Sequence, residues 1–184
     1  SGYNSGTTFK SMSTYSGGNK DWLGYDDGTR NYPSIISDKR LTRGNYTDAE
    51  ITSITNSFKN NWNLNSNEAA INGSYKISVG DKYDIGEDVL GYIASLNYSN
   101  SSDISEKQKN FFDFTGPRYL YTGSNYSKNV MLGGMVNLSY KLGSSAKFSF
   151  KNIFNQNSDD EVTTYKGDYR YADQYREITS LRFV

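Results

Sequence analysis

The sequence has no cysteine and no histidine. Those absences exclude disulfides, thiol nucleophiles, Ser-His-Asp triads, imidazole bases and zinc sites of the ordinary kind. Small secreted domains usually rely on disulfide staples, so stability here must come from extensive strand pairing or from the surroundings. Charge of one sign is lacking too: Lys+Arg and Asp+Glu both number 20, and no basic field points to nucleic acid. Nor does any apolar run approach the ~18 residues of a transmembrane helix. That leaves a membrane β-barrel untouched, because barrel strands carry only a weak alternating signal. The opening "SGYNSG" lacks a basic n-region and an apolar h-region. The expectation is a removed signal peptide or a piece of a longer polypeptide.

What is present is aromatic and hydroxylic. The 184 residues include 17 Tyr, 9 Phe and only two Pro among abundant Ser, Asn and Gly, with 35% apolar residues and a mean hydropathy of −0.77. Aromatic and hydroxyl side chains suit pleated surfaces, whereas the common helix formers are scarce, so the chain reads as all-β. Alternation supports this. In 90–99, Leu90, Tyr92, Ala94, Leu96 and Tyr98 share one face, opposite Gly91, Ser95, Asn97 and Ser99, with Ile93 as the exception. Residues 136–142 set Val136, Leu138, Tyr140 and Leu142 against Asn137, Ser139 and Lys141. Residues 147–151 repeat this with Phe148 and Phe150, and 71–79 with Ile71, Tyr75, Ile77 and Val79. Period two predicts strands. Weaker candidates at 7–15 and 176–184 bring the expected total to six.

The connections then read long (16–69), short (80–89), long (103–127), tight (143–146) and medium (158–175). Short turns on one side and long loops on the other are the asymmetry of outer-membrane barrels. The polar strand face is mostly Ser, Asn and Gly, which suits a water-filled or plugged lumen. Tyr83, Tyr92, Tyr98 and Tyr140 lie where aromatic girdles meet the bilayer interfaces, although tyrosines are common in any half-buried strand. Inside the first long connection, 46–62 predicts a short helix capped by Thr47 or Asp48, with Glu50 in its first turn and Ile51, Ile54 and Phe58 at helical spacing.

Four segments carry a resemblance: "SGGNKDWLGYDDGTRNYP" (16–33), "LGYIASLNYSNS" (90–101), "FSFKNIFNQNSDDEVTTYKG" (148–167) and "TSLRFV" (179–184). In order and spacing they resemble the barrel region of TonB-dependent outer-membrane receptors of the type with an N-terminal carboxypeptidase-regulatory-like domain. The resemblance implies a plug followed by a 22-stranded barrel that imports scarce substrates with energy delivered through TonB. No plug and no TonB box are recognisable here, so residues 1–184 are expected to form a partial barrel domain, about six antiparallel transmembrane strands with long extracellular loops and a short loop helix. Implied partners are the remaining barrel strands and plug of the same receptor, the TonB complex, outer-membrane lipid and a lipoprotein. Neither a cofactor nor an enzymatic role is implied.

On this reading, Tyr92, Leu96, Val136, Leu138, Tyr140, Phe148 and Phe150 face lipid. The charged stretch "DWLGYDDGTR" falls in the first extracellular loop. Asp21, Asp26 and Asp27 are oxygen donors of the kind Ca²⁺ takes, but an EF-hand register starting at Asp21 puts Tyr32 where the bidentate Glu belongs. Paired carboxylates can hydrolyse glycosides at defined separations, although adjacent ones on a loop are usually solvated. A structural loop is favoured instead. Gly24, Asp27-Gly28 and Pro33 form turns, the aspartates bond the local backbone, and Arg30 pairs with Asp26 or Asp27. Trp22 and Tyr25 pin the loop or, with Asp26, Asp27 and Arg30, touch a ligand. Asp159, Asp160 and Glu161 form an acidic rim where a strand leaves the membrane near Asn155, a second ligand-contact candidate or a solvated strand extension. The rival reading is a soluble secreted β domain that binds carbohydrate or acts as an adhesin.

Overall fold

Period-two sequence becomes a sheet of unusual length. The computed structural model describes residues 7, 9–36, 42, 44–59, 63–170 and 172–184. A two-stranded antiparallel sheet pairs β1 (Ser11–Tyr15) with β2 (Leu64–Glu68). A five-stranded antiparallel meander follows in the order β3 (Gly73–Ile85), β4 (Asp88–Asp113), β5 (Gly116–Leu142), β6 (Ala146–Tyr169) and β7 (Gln174–Phe183). The 27 residues of β5 span roughly 90 Å at ~3.4 Å per residue.

Two expectations about connections are overturned. Residues 103–127 are the continuous hairpin of β4 and β5, paired up to Asp113 opposite Gly116. Residues 158–175 are mostly β6 running on into β7. The reason is legible afterwards. Beyond Ser101 the β4 sequence is polar on both faces apart from Ile104 and the terminal Phe111 and Phe112, so no sustained apolar period marks a strand, yet ladder hydrogen bonding to β5 needs none. The single six-stranded sheet is also replaced. The described residues form seven strands, and the first candidate pairs with the unforeseen β2 instead of joining the meander. Of the long loops, only the connection from β1 to β2 remains.

The turns follow local chemistry. Gly86 (φ 64°) opens the two-residue turn into β4, a position that requires the left-handed region. At the β4–β5 turn the Asp113 carboxylate accepts from Thr115 N and Oγ1. The helix expected over 46–62 is α1 (Asp48–Ser57); residues 60–62, like residue 8 of the first strand candidate, lie outside the described residues. Thr47 N donates to Glu50 Oε2 (2.7 Å) and Glu50 N to Thr47 Oγ1 (3.3 Å), a full capping box, and Ile54 is buried.

Burial concentrates where the β1–β2 layer lies over one face of the outer half of the meander. Met12 and Ala69 are buried on one side, and Val130, Val162, Ser102 and Ser158 on the other. β3 begins only opposite Asn100, leaving the β4 backbone beyond that point without a strand partner on this edge. The Asn72 side chain takes over, accepting from Ser102 N (2.8 Å) and donating to Ser102 O (3.3 Å), and Thr7 Oγ1 donates to the same carbonyl (2.7 Å).

Candidate functional site

Pairing register converts four alternating strands into one apolar band. Ile77 lies opposite Leu96, Leu96 opposite Gly134, and Gly134 opposite Phe154. Two rows on, Tyr92 faces Leu138 and Leu138 faces Phe150; the next row joins Tyr83, Leu90, Tyr140 and Phe148. All seven predicted lipid-facing residues, Tyr92, Leu96, Val136, Leu138, Tyr140, Phe148 and Phe150, therefore share this face. None is buried: Leu96 is 51% exposed, Leu138 45% and Phe150 57%. Stacked tyrosine pairs bound the band, Tyr75 with Tyr98 (6.5 Å between centroids) and Tyr83 with Tyr92 (6.2 Å). From Tyr75 to Tyr83 is eight steps, about 27 Å along the strand. The opposite face at this level carries mainly Ser, Asn, Gly and Lys.

Beyond Tyr98, on the same face, residues 16–36 fold against the sheet. Tyr98 donates its hydroxyl to Trp22 O (2.9 Å) and meets the Trp22 ring edge-on, and Gln156 Nε2 donates to Gly24 O (2.6 Å). The centre of this region is Arg30. Its guanidinium binds Asp21 through two parallel bonds (2.8 and 2.6 Å), reaches Asp26 at 3.1 Å, and donates from Nε to the Tyr15 hydroxyl at 3.1 Å. Its guanidinium carbon lies over the Phe183 ring, 4.0 Å from the centroid, and Asp160 lies 4.0 Å away. Compared with family models, curated proteins and solved structures, the chain has no match.

Arg30 joins β1, the 16–36 loop, β6 and β7, and the Asp21 carboxylate beside it makes the Arg30 guanidinium hold its proton more firmly than usual. Burial pushes the Tyr15 phenol up to about 12, with Arg30 pulling the other way and Asp160 adding to the rise. Burial also raises the Asp160 carboxyl, against Tyr15, Arg30 and Lys128, and its Oδ1 has no hydrogen-bond partner among the described residues. Beside this cluster a cavity of about 370 Å³ lies between the layers, lined by Met12, Tyr15, Trp22, Lys128, Asp160 and Val162 among others. The arrangement can clamp a loop and shape a cleft. The carboxylates on Arg30 are acceptors already in use.

The expectation that Arg30 pairs within its own loop holds for Asp26, and Asp21 is the closer partner. Asp27 does bond local backbone: it accepts from Asn19 N, Thr29 N and Thr29 Oγ1, which lowers its carboxyl below the ordinary range. Tyr25 is exposed. The acidic run is divided by strand geometry, because β6 continues through it. Asp160 joins the Arg30 face, whereas Asp159 and Glu161 take the other, where Glu161 is 3.8 Å from Arg182. Tyr15, Phe183 and Gln156 were not foreseen. They come from 15 to over 150 residues away in sequence, and no local signal marks them.

Proposed function

We propose that this chain is part of the barrel wall of a TonB-dependent outer-membrane receptor, a non-enzymatic importer of a scarce nutrient. One observation carries the reading. The exposed apolar band runs across four strands and is bounded by stacked tyrosines, with a polar face behind it. At a strand tilt of about 40°, ~27 Å of strand becomes roughly 21 Å of height, close to the ~25 Å apolar belt of such barrels. Trp22, Tyr75 and Tyr98 then form the upper aromatic girdle, at headgroup level, with Tyr83, Tyr92 and Tyr140 below. The backbone edges of β3 and of β6 below Asp159 would be closed by further strands of the same receptor, since open edges are untenable in lipid. TonB would act through the complete receptor. On this reading Arg30, Asp26 and Trp22 anchor a collar outside the wall, while Asp159 and Glu161 face the interior and are the better substrate-contact candidates.

The test combines fractionation with arginine substitution. The native protein should sediment with membranes and resist extraction by salt and alkali. Leu96→Arg and Leu138→Arg should block assembly, at roughly 2–4 kcal/mol each near mid-membrane, and Asn97→Arg on the other face should be milder. A water-soluble monomer, or equal damage at all three positions, would favour the secreted carbohydrate-binding or adhesive domain.

A further inference from the structure

The cleft between the β1–β2 layer and the meander holds polar groups that the Arg30 clamp does not use. Its volume of about 370 Å³ falls within the roughly 300–1,000 Å³ of small-ligand sites. Three surfaces meet there. Tyr126, Lys128 and Asp160 rise from β5 and β6, with Lys128 directly opposite Asp160. Trp22 closes one side from the 16–36 loop, and Thr14 and Asn67 come from the β1–β2 layer.

Much of this polar lining is uncommitted. The Tyr126 hydroxyl, the Lys128 ammonium and the Trp22 indole N–H have no hydrogen-bond partner among the described residues. Asn67 Nδ2 donates to Thr14 Oγ1 at 2.7 Å, which leaves the Thr14 proton and the Asn67 carbonyl available. Trp22 is 57% exposed and meets Tyr98 edge-on, so an aromatic face remains open. The lining carboxylates are Asp21, Glu68 and Asp160, against the single lysine Lys128. Asp21 is taken by Arg30, and the rest carries no positive excess to draw an anion. Hydroxyls and amides do not suit an acyl tail. A neutral, hydroxyl-rich molecule fits. Its O–H groups donate to Asp160 or Asn67 and accept from Tyr126, Lys128 and Trp22, while its C–H face lies against the indole.

We propose that this cleft seats a sugar unit of a neutral surface glycan. The source of that sugar rests on the barrel reading. Gln156 lies in the register row of Tyr98, at the upper girdle. Asp160 is four residues further along β6, ~14 Å of strand, or about 10 Å higher at a 40° tilt. Lys128 and Asp160 share the apolar band's side of the sheet, so the cleft lies outside the wall and off the import path. That is the height at which glycan chains of the outer leaflet stand. The sugar anchors the collar in the membrane's own carbohydrate and does not select the nutrient.

The probe is the oligosaccharide released by mild acid from the outer-leaflet glycolipid of the same cells, used as released and after removal of its phosphates. The full-length receptor in detergent micelles is titrated with each form, and binding is read by saturation-transfer NMR. Both forms should bind equally well, and Tyr126→Phe and Trp22→Leu should each lower the affinity about fivefold or more. Tyr126→Phe deletes one oxygen and leaves the Arg30 clamp intact, so it decides the matter where hydrogen exchange shows Trp22→Leu loosening residues 16–36. Binding of the phosphorylated form alone would overturn the proposal. So would no transfer to either form, or full affinity in Tyr126→Phe. A lipid-phase maleimide on Leu138→Cys in native membranes separates the two ideas. Leu138→Cys labelled without sugar binding removes this inference alone, and Leu138→Cys unlabelled with Tyr126-dependent binding retains the sugar cleft and removes the barrel.

Discussion

Replacing Arg30 with methionine keeps an apolar stem of similar length and deletes the guanidinium. Three things are lost together: the two-bond pair with Asp21, the donor to the Tyr15 hydroxyl and the stack on Phe183. Hydrogen bonds to charged groups contribute ~1.5–3 kcal/mol, and the stacked cation adds about 0.5–1 kcal/mol. The Arg30 and Asp21 side chains are 17% and 16% exposed, so screening reduces the pair below the ~3–5 kcal/mol cost of breaking a fully buried one. Asp26 is more open (26%) and can turn to water, contributing little. The sum is roughly 2–3 kcal/mol against docking of residues 16–36. At 1.36 kcal/mol per decade, even the lower figure raises the local opening constant about 30-fold.

Hydrogen exchange of peptides spanning 16–36 measures this directly, with tryptic cleavage after Lys20 as a second readout. Arg30→Lys should recover less than half of the loss, because an ammonium neither forks onto Asp21 nor stacks flat on Phe183. Adding Asp21→Asn to Arg30→Met should cost less than the two single changes summed, since it removes the orphaned carboxylate. Unchanged exchange in Arg30→Met would refute the clamp.

Asp160→Asn should tighten docking of residues 16–36 at neutral pH. Burial raises this carboxyl, so the uncharged form is favoured when folded; protection in the parent should grow as pH falls through the raised native value, be complete below the ordinary ~3.9, and lose that arm in the variant. Exchange that slackens on acidification in that window would contradict the assignment. Tyr15→Phe leaves Arg30 Nε without its acceptor and should weaken the same docking by about 1–3 kcal/mol. Thr47→Ala removes the capping hydroxyl of α1 and should cost ~1 kcal/mol of local helix stability, read by exchange over 48–57. A Cβ at Gly123 would collide with the Thr164 carbonyl of the paired strand, so Gly123→Val should open the outer β5–β6 ladder. Normal protection of 163–169 in that variant would show that the strands can part without loss.

Legibility followed apolar contrast. Strands with a greasy and a polar side, 71–79, 90–99, 136–142 and 147–151, could be read because burial or lipid selects one parity and leaves its mark in the residues. The outer halves of β4, β5 and β6 lack that contrast, with polar side chains on both faces, and so resembled loops. β2, "LNSNE", was missed for the same reason. α1 was readable because its capping box lies within four consecutive residues.

Sequence alone determined the all-β class, the parity of each band strand, the helix with its cap narrowed to Thr47 or Asp48, and the bonding of the loop aspartates to their own backbone, because all of these depend on neighbours within a few residues. Tertiary structure decided that Arg30 reaches Tyr15, Asp160 and Phe183, that Asp160 parts company with Asp159 and Glu161, and that Trp22, Tyr126 and Lys128 line one cleft. Those facts depend on pairing register and on which face the amino-terminal layer covers. Both are set by contacts between residues tens of positions apart, which no local pattern encodes.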